Sequence, residues 1–150
     1  MVDKREFKIP VRVYYEDTDF SGIVYHANYL KFFERGRTEA LRQCGITHTD
    51  LLARQAPLVF AVRKMITDWI IPARIDDELV VVTEFRHIRG ARMWLDQVIY
   101  RPAVVHEAVA HEVVAYEKGH EIARAEVEAV CLSQSGRARR VPDDLLKMLQ

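Results

Sequence analysis

The sequence YYEDTDFSGIVYHANY, residues 14–29, decides how this chain of 150 residues is organised. Apolar and polar residues alternate over residues 11–15, which predicts a strand leading into it. Acidic residues, a serine and Gly22 then favour a turn. A helix follows, and Asn28 is a good candidate for its N-cap. The stretch therefore brings a carboxylate, an imidazole and a helix N-terminus close together, a combination that can hold a polar carbonyl and attack it.

The predicted helix runs from Asn28 to Cys44, where Gly45 is a natural stop. Its apolar residues recur at helical spacing on one broad face, with charged residues on the remainder. That face is marked by Leu30, Phe33, Arg37, Ala40 and Leu41, with Tyr29 and Phe32 beside it. A single sheet can wrap around such a helix. Glu34 and Glu39 are interpreted as part of the solvated face.

The rest of the chain is mainly β-type. Residues 1–10 are interpreted as a polar lead-in, and short helices are expected near residues 49–54 and 143–149. Strands are predicted at residues 58–71, 79–88, 91–100 and 122–132, the last with Ala123, Ala125, Val127, Ala129 and Cys131 on one side. One strand, one long helix and several antiparallel strands predict an α+β fold with the helix packed on one sheet face.

The segment from Pro102 to Lys118 supports two interpretations. Its apolar residues fall at helical spacing between a proline and Gly119, which favours a helix, and we adopt that interpretation. Its valine content favours a long hairpin instead. No internal repeat interrupts the chain, so residues 1–150 are expected to form one domain, with a core at about 11–132 and a tail at 133–150.

Composition excludes several classes of protein. The formal net charge is zero, which argues against nucleic acid or an anionic membrane as the main partner. No apolar run approaches the length of a membrane span, and the charged N-terminus lacks a signal core. Cys44 and Cys131 have no metal-type spacing and are interpreted as free thiols in a reducing cytoplasm.

Asp19 is the first candidate for chemistry. A carboxylate at a strand-to-helix turn can act as a nucleophile or as a general base. The alternative is that Asp17 and Asp19 only shape the turn, which on spacing alone is the commoner role of aspartate there.

His26 lies just ahead of the predicted helix. Its backbone N–H can be one of the unpaired donors of the first turn, where the helix dipole favours a developing oxyanion. The alternative is a surface histidine stacked on Tyr25 or Tyr29. Gly22 can let the backbone approach a ligand or adopt a positive φ, and the second property is all that a turn requires.

Other chemistry is disfavoured. His106 and His111 are one residue too far apart for the zinc-helix motif of metalloproteases, so we predict no metal site. The chain has no Gly-rich phosphate loop and no Gly-x-Ser-x-Gly elbow, and no cofactor is expected. Cys44 lies at a helix C-terminus, where the dipole disfavours a thiolate. Basic residues such as Arg63, Arg89 and Arg92 are either surface charges or a clamp for the phosphates of a nucleotide-bearing ligand.

Several motifs together resemble one known family, the 4-hydroxybenzoyl-CoA thioesterase-like family, and in particular its Tol-Pal-associated acyl-CoA thioesterase branch. The similarity runs from about Val11 to Leu132. Its motifs are YYEDTD at 14–19, GIVYHANY at 22–29, FFER at 32–35, VRKM at 62–65, PARIDD at 72–77 and RGA at 89–91. The resemblance implies a hotdog fold, in which an antiparallel sheet wraps one long helix. It also implies a homodimer or homotetramer with acyl-CoA bound at the dimer interface.

Carried over by position, the catalytic carboxylate of the family falls on Asp19, and the backbone amide that polarises the thioester carbonyl falls on His26. Tyr15 is implied as a supporting residue. The resemblance also implies that substrate is bound by Gly22, Val24, Tyr25, Arg89 and Arg92, the two arginines as candidates for the phosphates of CoA.

Two departures from the branch are expected to matter. Phe20 and Ser21 stand where small residues are common, which indicates a narrower acyl pocket, and the segment 102–118 is longer than the usual hairpin connection. Two rival functions stay open. One is a non-hydrolytic acyl-thioester-binding adaptor in envelope or lipid metabolism. The other is a dehydratase acting on acyl carrier protein, which the Asp-turn motif fits poorly. Acyl carrier protein also stays open as a partner of the thioesterase.

Overall fold

The structure is a computed structural model that describes residues 5–103, 105–109, 112–116 and 119–150. Within these ranges the chain forms three α-helices and seven strands. They are β1 (Glu6–Arg12), α1 (Asn28–Gln43), α2 (His48–Leu52), β2 (Leu58–Trp69), β3 (Glu78–Arg89), β4 (Arg92–Arg101), β5 (Val105–Val109), β6 (Glu112–Tyr116), β7 (His120–Ser133) and α3 (Asp143–Leu149). The predicted strands after Pro57 are confirmed, with ends that shift by one or two residues.

Five strands form one antiparallel sheet in the order β1-β3-β4-β7-β2, and helix α1 packs on one face of it. The predicted alternation in β7 is confirmed. Ala123, Ala125, Val127, Ala129 and Cys131 are all buried, and Ile122 and Glu128 of the same strand are buried as well. The predicted α+β class is therefore confirmed.

The buried face of α1 is rotated slightly from the expected one. Leu30, predicted on that face, is 39% exposed, whereas Gly36 is buried. A Cβ added at Gly36 would lie 2.7 Å from Val81 Cγ1, so the helix can approach the sheet this closely only with glycine there. The residues of α1 that pack inward are Asn28, Tyr29, Phe32, Phe33, Gly36, Ala40 and Leu41.

A buried glutamine lies where α1 meets the sheet. Gln97 on β4 is 1% exposed, and its Nε2 donates to the Phe33 carbonyl and to Thr83 Oγ1, both at 2.8 Å. Its Oε1 accepts from Arg37 Nη1 at 3.0 Å. Because the amide of Gln97 has donors and acceptors on both elements, it fixes the position of the helix relative to the sheet at little desolvation cost.

Two predictions at the start of the chain are wrong. β1 begins at Glu6, within the segment expected to be a polar lead-in, and it includes Pro10. A proline fits because β1 is at the edge of the sheet, where an N–H that points away from the sheet has no ladder hydrogen bond to lose. The strand ends at Arg12, and Tyr15 lies in a 3₁₀ turn, so the alternation stops at the buried Val13.

The predicted N-cap is also wrong. Asn28 is the first residue of α1, and Ala27, in the cap position, makes no side-chain capping bond. The Asn28 N–H donates to the Tyr25 carbonyl at 2.8 Å, so a turn already bends the chain before the helix. The side chain of Asn28 is thereby free to donate from Nδ2 to the Asp17 carbonyl at 2.9 Å.

The segment 102–118 was predicted as a helix, and this is wrong. β5 and β6 pair as antiparallel strands, with Val105 opposite Tyr116 and Val109 opposite Glu112. The β preference of valine outweighs the helical spacing. The hairpin alternative therefore describes this segment, of which residues 104, 110–111 and 117–118 fall outside the described ranges.

Cys44 and Cys131 are both unpaired, as predicted, and burial raises the pKa of each thiol. A raised pKa keeps both sulfurs in the weakly reactive thiol form. Among the described residues, no helix is long and apolar enough to cross a membrane.

Candidate active site

The loop between β1 and α1 folds back on itself. Thr18 and Val24 form an isolated antiparallel bridge. The Asp19 N–H donates to the Ile23 carbonyl at 2.8 Å, and the Tyr25 N–H donates to the Asp17 carbonyl at 2.9 Å. These bonds make a tight hairpin-like loop, and its tip needs a left-handed residue. Gly22 supplies it with φ of 85°, as its predicted conformational role requires.

The two acids of the loop have different environments. Asp17 is buried, and its Oδ2 accepts from the Tyr14 N–H at 2.8 Å. Asp19 is only partly covered, and its Oδ1 accepts from Ser21 twice, from the N–H at 2.8 Å and from Oγ at 2.6 Å. The Ser21 hydroxyl does most to hold the pKa of the Asp19 carboxyl below its ordinary value. Asp17 therefore shapes the turn, whereas Asp19 also shapes it but presents an ionised carboxylate to solvent.

His26 is positioned by its backbone. Its carbonyl accepts from Trp69 Nε1 at 3.0 Å, and its ring lies between those of Tyr25 and Trp69, with centroid distances of 4.6 and 5.9 Å. The ring contacts Tyr25, as in the alternative interpretation, but the two rings are tilted by 57° and are not stacked. Within the described part of the chain, the His26 N–H has no hydrogen-bond acceptor, although the N–H groups of Tyr25 and Asn28 both have one. A free donor thus remains two residues before α1, near the helix end where the dipole favours negative charge.

The other residues assigned to this loop are less well placed in a single chain. Tyr15 is 86% exposed, and only its carbonyl bonds to the loop, accepting from the Thr18 N–H and Oγ1. Val24 is 2% exposed, so its side chain belongs to the core and its N–H donates to Ala73. Phe20, expected to narrow an acyl pocket, is fully exposed. Tyr25 is the member of this set that contacts His26.

Arg89 and Arg92 flank the β3–β4 turn at Gly90. Arg92 Nη1 donates to Glu128 Oε1 at 3.1 Å, and Arg63 Nη1 donates to Glu128 Oε2 at 2.9 Å. Glu128 is 8% exposed, and the two arginines neutralise it. Arg89 is exposed and forms no ion pair with any described residue. Of the two predicted phosphate ligands, Arg89 is therefore the freer one. The pairing of Glu128 left no signal in the sequence, because it joins strands far apart in the chain.

A cavity of about 280 Å³ lies between α1 and the sheet. Glu34, Arg37, Thr38 and Leu41 contribute from successive turns of α1, and His48 contributes from α2. The remaining lining is apolar and comes mainly from Phe60, Val62, Phe85, Met93 and Leu95. Sequence reasoning missed this cavity and assigned Glu34 to a solvated face. The available signal was the i, i+3, i+4, i+7 spacing of the four helical residues.

The comparisons with known proteins agree with this architecture. The profile of the Thioesterase-like superfamily matches residues 13–149. "Acyl-CoA thioesterase YbgC" of Haemophilus influenzae is 48% identical over 95 residues, which is 63% of this chain and 69% of that protein. "Acyl-CoA thioester hydrolase YbgC" of Escherichia coli O6:H1 is 47% identical over 93 residues, 62% of this chain and 68% of that protein.

Solved structures show the same fold. The crystal structure of a probable thioesterase from Bartonella henselae is 36% identical, with a TM-score of 0.77 over 93% of this chain and 99% of that chain. A mutant 4-hydroxybenzoyl CoA thioesterase in complex with 4-hydroxybenzoyl CoA has a TM-score of 0.81 at 18% identity, over 97% of this chain and 99% of that chain. The expected hotdog fold is confirmed.

Proposed function

Since this chain belongs to the Thioesterase-like superfamily, we propose that it hydrolyses the thioester bond of acyl-CoA, with Asp19 and the His26 N–H as the reacting groups. One observation carries this assignment of residues. The unpaired His26 N–H and the ionised, accessible Asp19 carboxylate belong to the same short hydrogen-bonded loop at the start of α1. Each group alone is ordinary, but together they can serve an acyl-transfer reaction.

The His26 N–H acts on the carbonyl oxygen. Negative charge develops on that oxygen as the carbonyl carbon becomes tetrahedral, and a fixed donor stabilises it without having to reorganise. The Trp69 bond to the His26 carbonyl and the bonds of the neighbouring N–H groups keep this residue in place. The helix dipole acts in the same direction.

Asp19 supplies the second role. In one route its carboxylate attacks the carbonyl carbon, the C–S bond breaks, CoA leaves as the thiolate, and water then hydrolyses the resulting anhydride. In the other route Asp19 takes a proton from the water that attacks. Both routes need the ionised carboxylate, and a pKa held below its ordinary value keeps Asp19 in that form at neutral pH.

The cavity beside α1 is proposed as the site of the acyl group. Its volume of about 280 Å³ is just below the roughly 300–1,000 Å³ typical of ligand sites, so it suits an acyl group and not a whole CoA. The nucleotide part of CoA would then lie outside. Arg89 is the better candidate for its phosphates, because Arg92 is already engaged by Glu128.

A second copy of the chain is proposed to complete the site. β2 is an outer strand of the five-stranded sheet, and it carries exposed apolar residues, among them Val62, Ile66 and Trp69. Such an edge favours pairing with an identical edge across a two-fold axis. We therefore propose a homodimer, which pairs of dimers can extend to a homotetramer. A cytoplasmic location, supported by the two free thiols, and a link to the Tol-Pal system also belong to the proposal.

An acyl-CoA panel of increasing chain length tests the proposal, with release of free CoA thiol as the signal. We expect turnover of at least part of the panel. Tight binding of CoA without turnover at any length would support the non-hydrolytic adaptor instead. Turnover of acyl carrier protein thioesters in place of CoA thioesters would correct the carrier and leave the reaction unchanged.

A further inference from the structure

The segment that follows β7 folds back against the turn between β3 and β4. The Arg139 N–H donates to the Cys131 carbonyl at 2.9 Å, and the Val141 N–H donates to the Gly90 carbonyl at 3.0 Å. These backbone bonds fix residues 137–141 beside that turn. Basic residues that are far apart in the sequence therefore lie together at this end of the sheet.

Four of them, Arg89, Arg137, Arg139 and Arg140, form the arginine cluster, and all four are exposed. Among the described residues, the cluster makes a single ion pair, between Arg140 Nη2 and Asp143 Oδ1 at 4.0 Å. Such an exposed contact contributes little. The formal net charge of the chain is zero, so this is a local excess of positive charge. Like charges held close together repel, and a ligand with several negative charges offsets that repulsion.

We propose that the arginine cluster binds the nucleotide phosphates of an acyl-CoA whose thioester reacts at the partner's Asp19 and the partner's His26. This inference rests on the proposed thioesterase function and on the proposed dimer. A guanidinium group matches a phosphate geometrically and forms two parallel hydrogen bonds with it. The cluster thereby adds the arginines of the C-terminal tail to Arg89 and assigns them to the site of the other chain.

The assignment to the other chain follows from the pairing of β2 with its copy. A two-fold axis makes the two strands antiparallel, so the end of one lies beside the start of the other. The exposed apolar residues of β2 extend from Val62 to Trp69, the last residue of the strand. An overlap that covers them places Trp69 opposite a residue between Leu58 and Val62 of the partner subunit.

The strand register leads from that end of β2 to the cluster. Within each chain Phe60 lies opposite Cys131, whose carbonyl accepts from the Arg139 N–H. The path from Trp69 to the partner's Arg139 therefore crosses three strand spacings, or about 14 Å. Trp69 is hydrogen-bonded to His26, so this is also the scale of the separation from the reacting loop.

The path within a single chain is nearly twice as long. Trp69 lies opposite Ala123 on β7, and Cys131 follows eight residues later, about 26 Å along the strand. In CoA the pantetheine arm separates the thioester from the phosphates, so the phosphates must bind at some distance from the reacting loop. The shorter path favours the cluster of the partner subunit.

The first test compares an acyl-CoA with the corresponding acyl-pantetheine, which carries the same thioester without the nucleotide phosphates. Arg137→Gln combined with Arg139→Gln should raise KM for acyl-CoA about tenfold with little change in kcat. KM for acyl-pantetheine should stay at the wild-type value. Arg12→Gln combined with Arg42→Gln is the matched control, since it removes two exposed positive charges from β1 and α1 and should change neither KM.

Mixed dimers, purified through two different tags, test which chain supplies the arginines. One chain carries Asp19→Asn with its cluster intact, and the other carries the two cluster substitutions with Asp19 intact. The single working loop then meets an intact cluster only across the interface, and we expect the wild-type KM for acyl-CoA. The raised KM of the double variant would place the cluster and the loop in the same chain and overturn the proposal.

Other outcomes separate this inference from the proposed function. An unaltered KM for acyl-CoA in the double variant, or an equal rise for acyl-pantetheine, contradicts phosphate binding and leaves thioester hydrolysis intact. A rise in KM for acyl carrier protein thioesters but not for acyl-CoA would assign the cluster to a protein partner and likewise overturn the inference. Absence of turnover of any thioester by the wild-type protein contradicts the proposed function instead.

Discussion

Trp69 Nε1 donates to the His26 carbonyl at 3.0 Å, and this bond joins the last residue of β2 to a residue two positions before α1. Trp69 is 51% exposed, so burial alone does not hold the indole there. The bond restrains the backbone of the residue whose free N–H is proposed to bind the thioester carbonyl. The end of an outer strand thereby helps to position the proposed oxyanion site.

Trp69→Phe tests this restraint, because it keeps a ring beside His26 and removes the donor. One neutral hydrogen bond contributes about 1 kcal/mol, so we expect kcat to fall roughly fivefold. KM should change less, since the effect concerns the charge that develops in the transition state. Steady-state kinetics with one acyl-CoA measure both. Trp94→Phe, on the opposite face of the sheet from α1, is the control, and an equal loss there would show that the effect is not local.

Ser21→Ala tests the ionisation of Asp19. The Ser21 hydroxyl lowers the pKa of the Asp19 carboxyl, so its removal should raise that pKa towards the ordinary value. The active form is the carboxylate, and activity is lost as pH falls through its pKa. The acid limb of the profile of kcat/KM against pH should therefore move to higher pH in the variant. An acid limb that stays in place would contradict the assignment of this limb to Asp19.

Gly36→Ala tests the close approach of α1 to the sheet. Alanine is favoured over glycine in a helix by about 1 kcal/mol. Its Cβ, however, would lie 2.7 Å from Val81 Cγ1 and 3.0 Å from Gln97 Nε2. Overpacking of this kind costs about 1–3 kcal/mol, so we expect a net loss of stability. Urea unfolding measures it, with the exposed Lys31→Ala as the control, and an increase in stability would mean that the helix can shift freely.

Ile66→Lys tests the proposed dimer. Ile66 is 49% exposed on the outer strand β2, and a lysine there should block edge-to-edge pairing. We expect sedimentation to show a dimer or tetramer for the wild type and a monomer with little activity for the variant. Leu52→Lys, an equally apolar exposed site on α2, should leave the assembly unchanged. A wild-type monomer with full activity would rule out a shared site.

The sequence predicted correctly those helices and strands that depend on the periodicity of nearby side chains. The alternation in β7 and the length of α1 followed from side-chain periodicity, and both are confirmed. The sequence did not predict features that depend on contacts between residues far apart in the chain. The Asn28 side chain donates to the Asp17 carbonyl and does not cap the helix. The hydrogen bond from Gln97 to the Phe33 carbonyl fixes the position of α1 on the sheet. The helix prediction for residues 102–118 was wrong because helical spacing and β preference conflict within this segment. The structure follows the β preference, and β5 pairs with β6.

The same limit applies to the candidate site. The motif at residues 14–29 made Asp19 and the His26 N–H candidates, because both lie on one continuous loop. The cavity was missed because α1, α2 and four strands contribute to it. Arg92 was predicted to bind phosphates, and its ion pair with Glu128 was missed because Glu128 lies on another strand, 36 residues away.

The most direct measurement is the kcat of Asp19→Asn for acyl-CoA hydrolysis. Asparagine keeps the shape of the side chain and an oxygen for Ser21, but it is neither a carboxylate nucleophile nor a base. We expect kcat to fall by about 100-fold or more, while Glu16→Gln, a neighbouring exposed acid in the same loop, should retain wild-type turnover. If Asp19→Asn turns over acyl-CoA at nearly the wild-type rate, Asp19 is not the reacting group and the account of this loop is wrong.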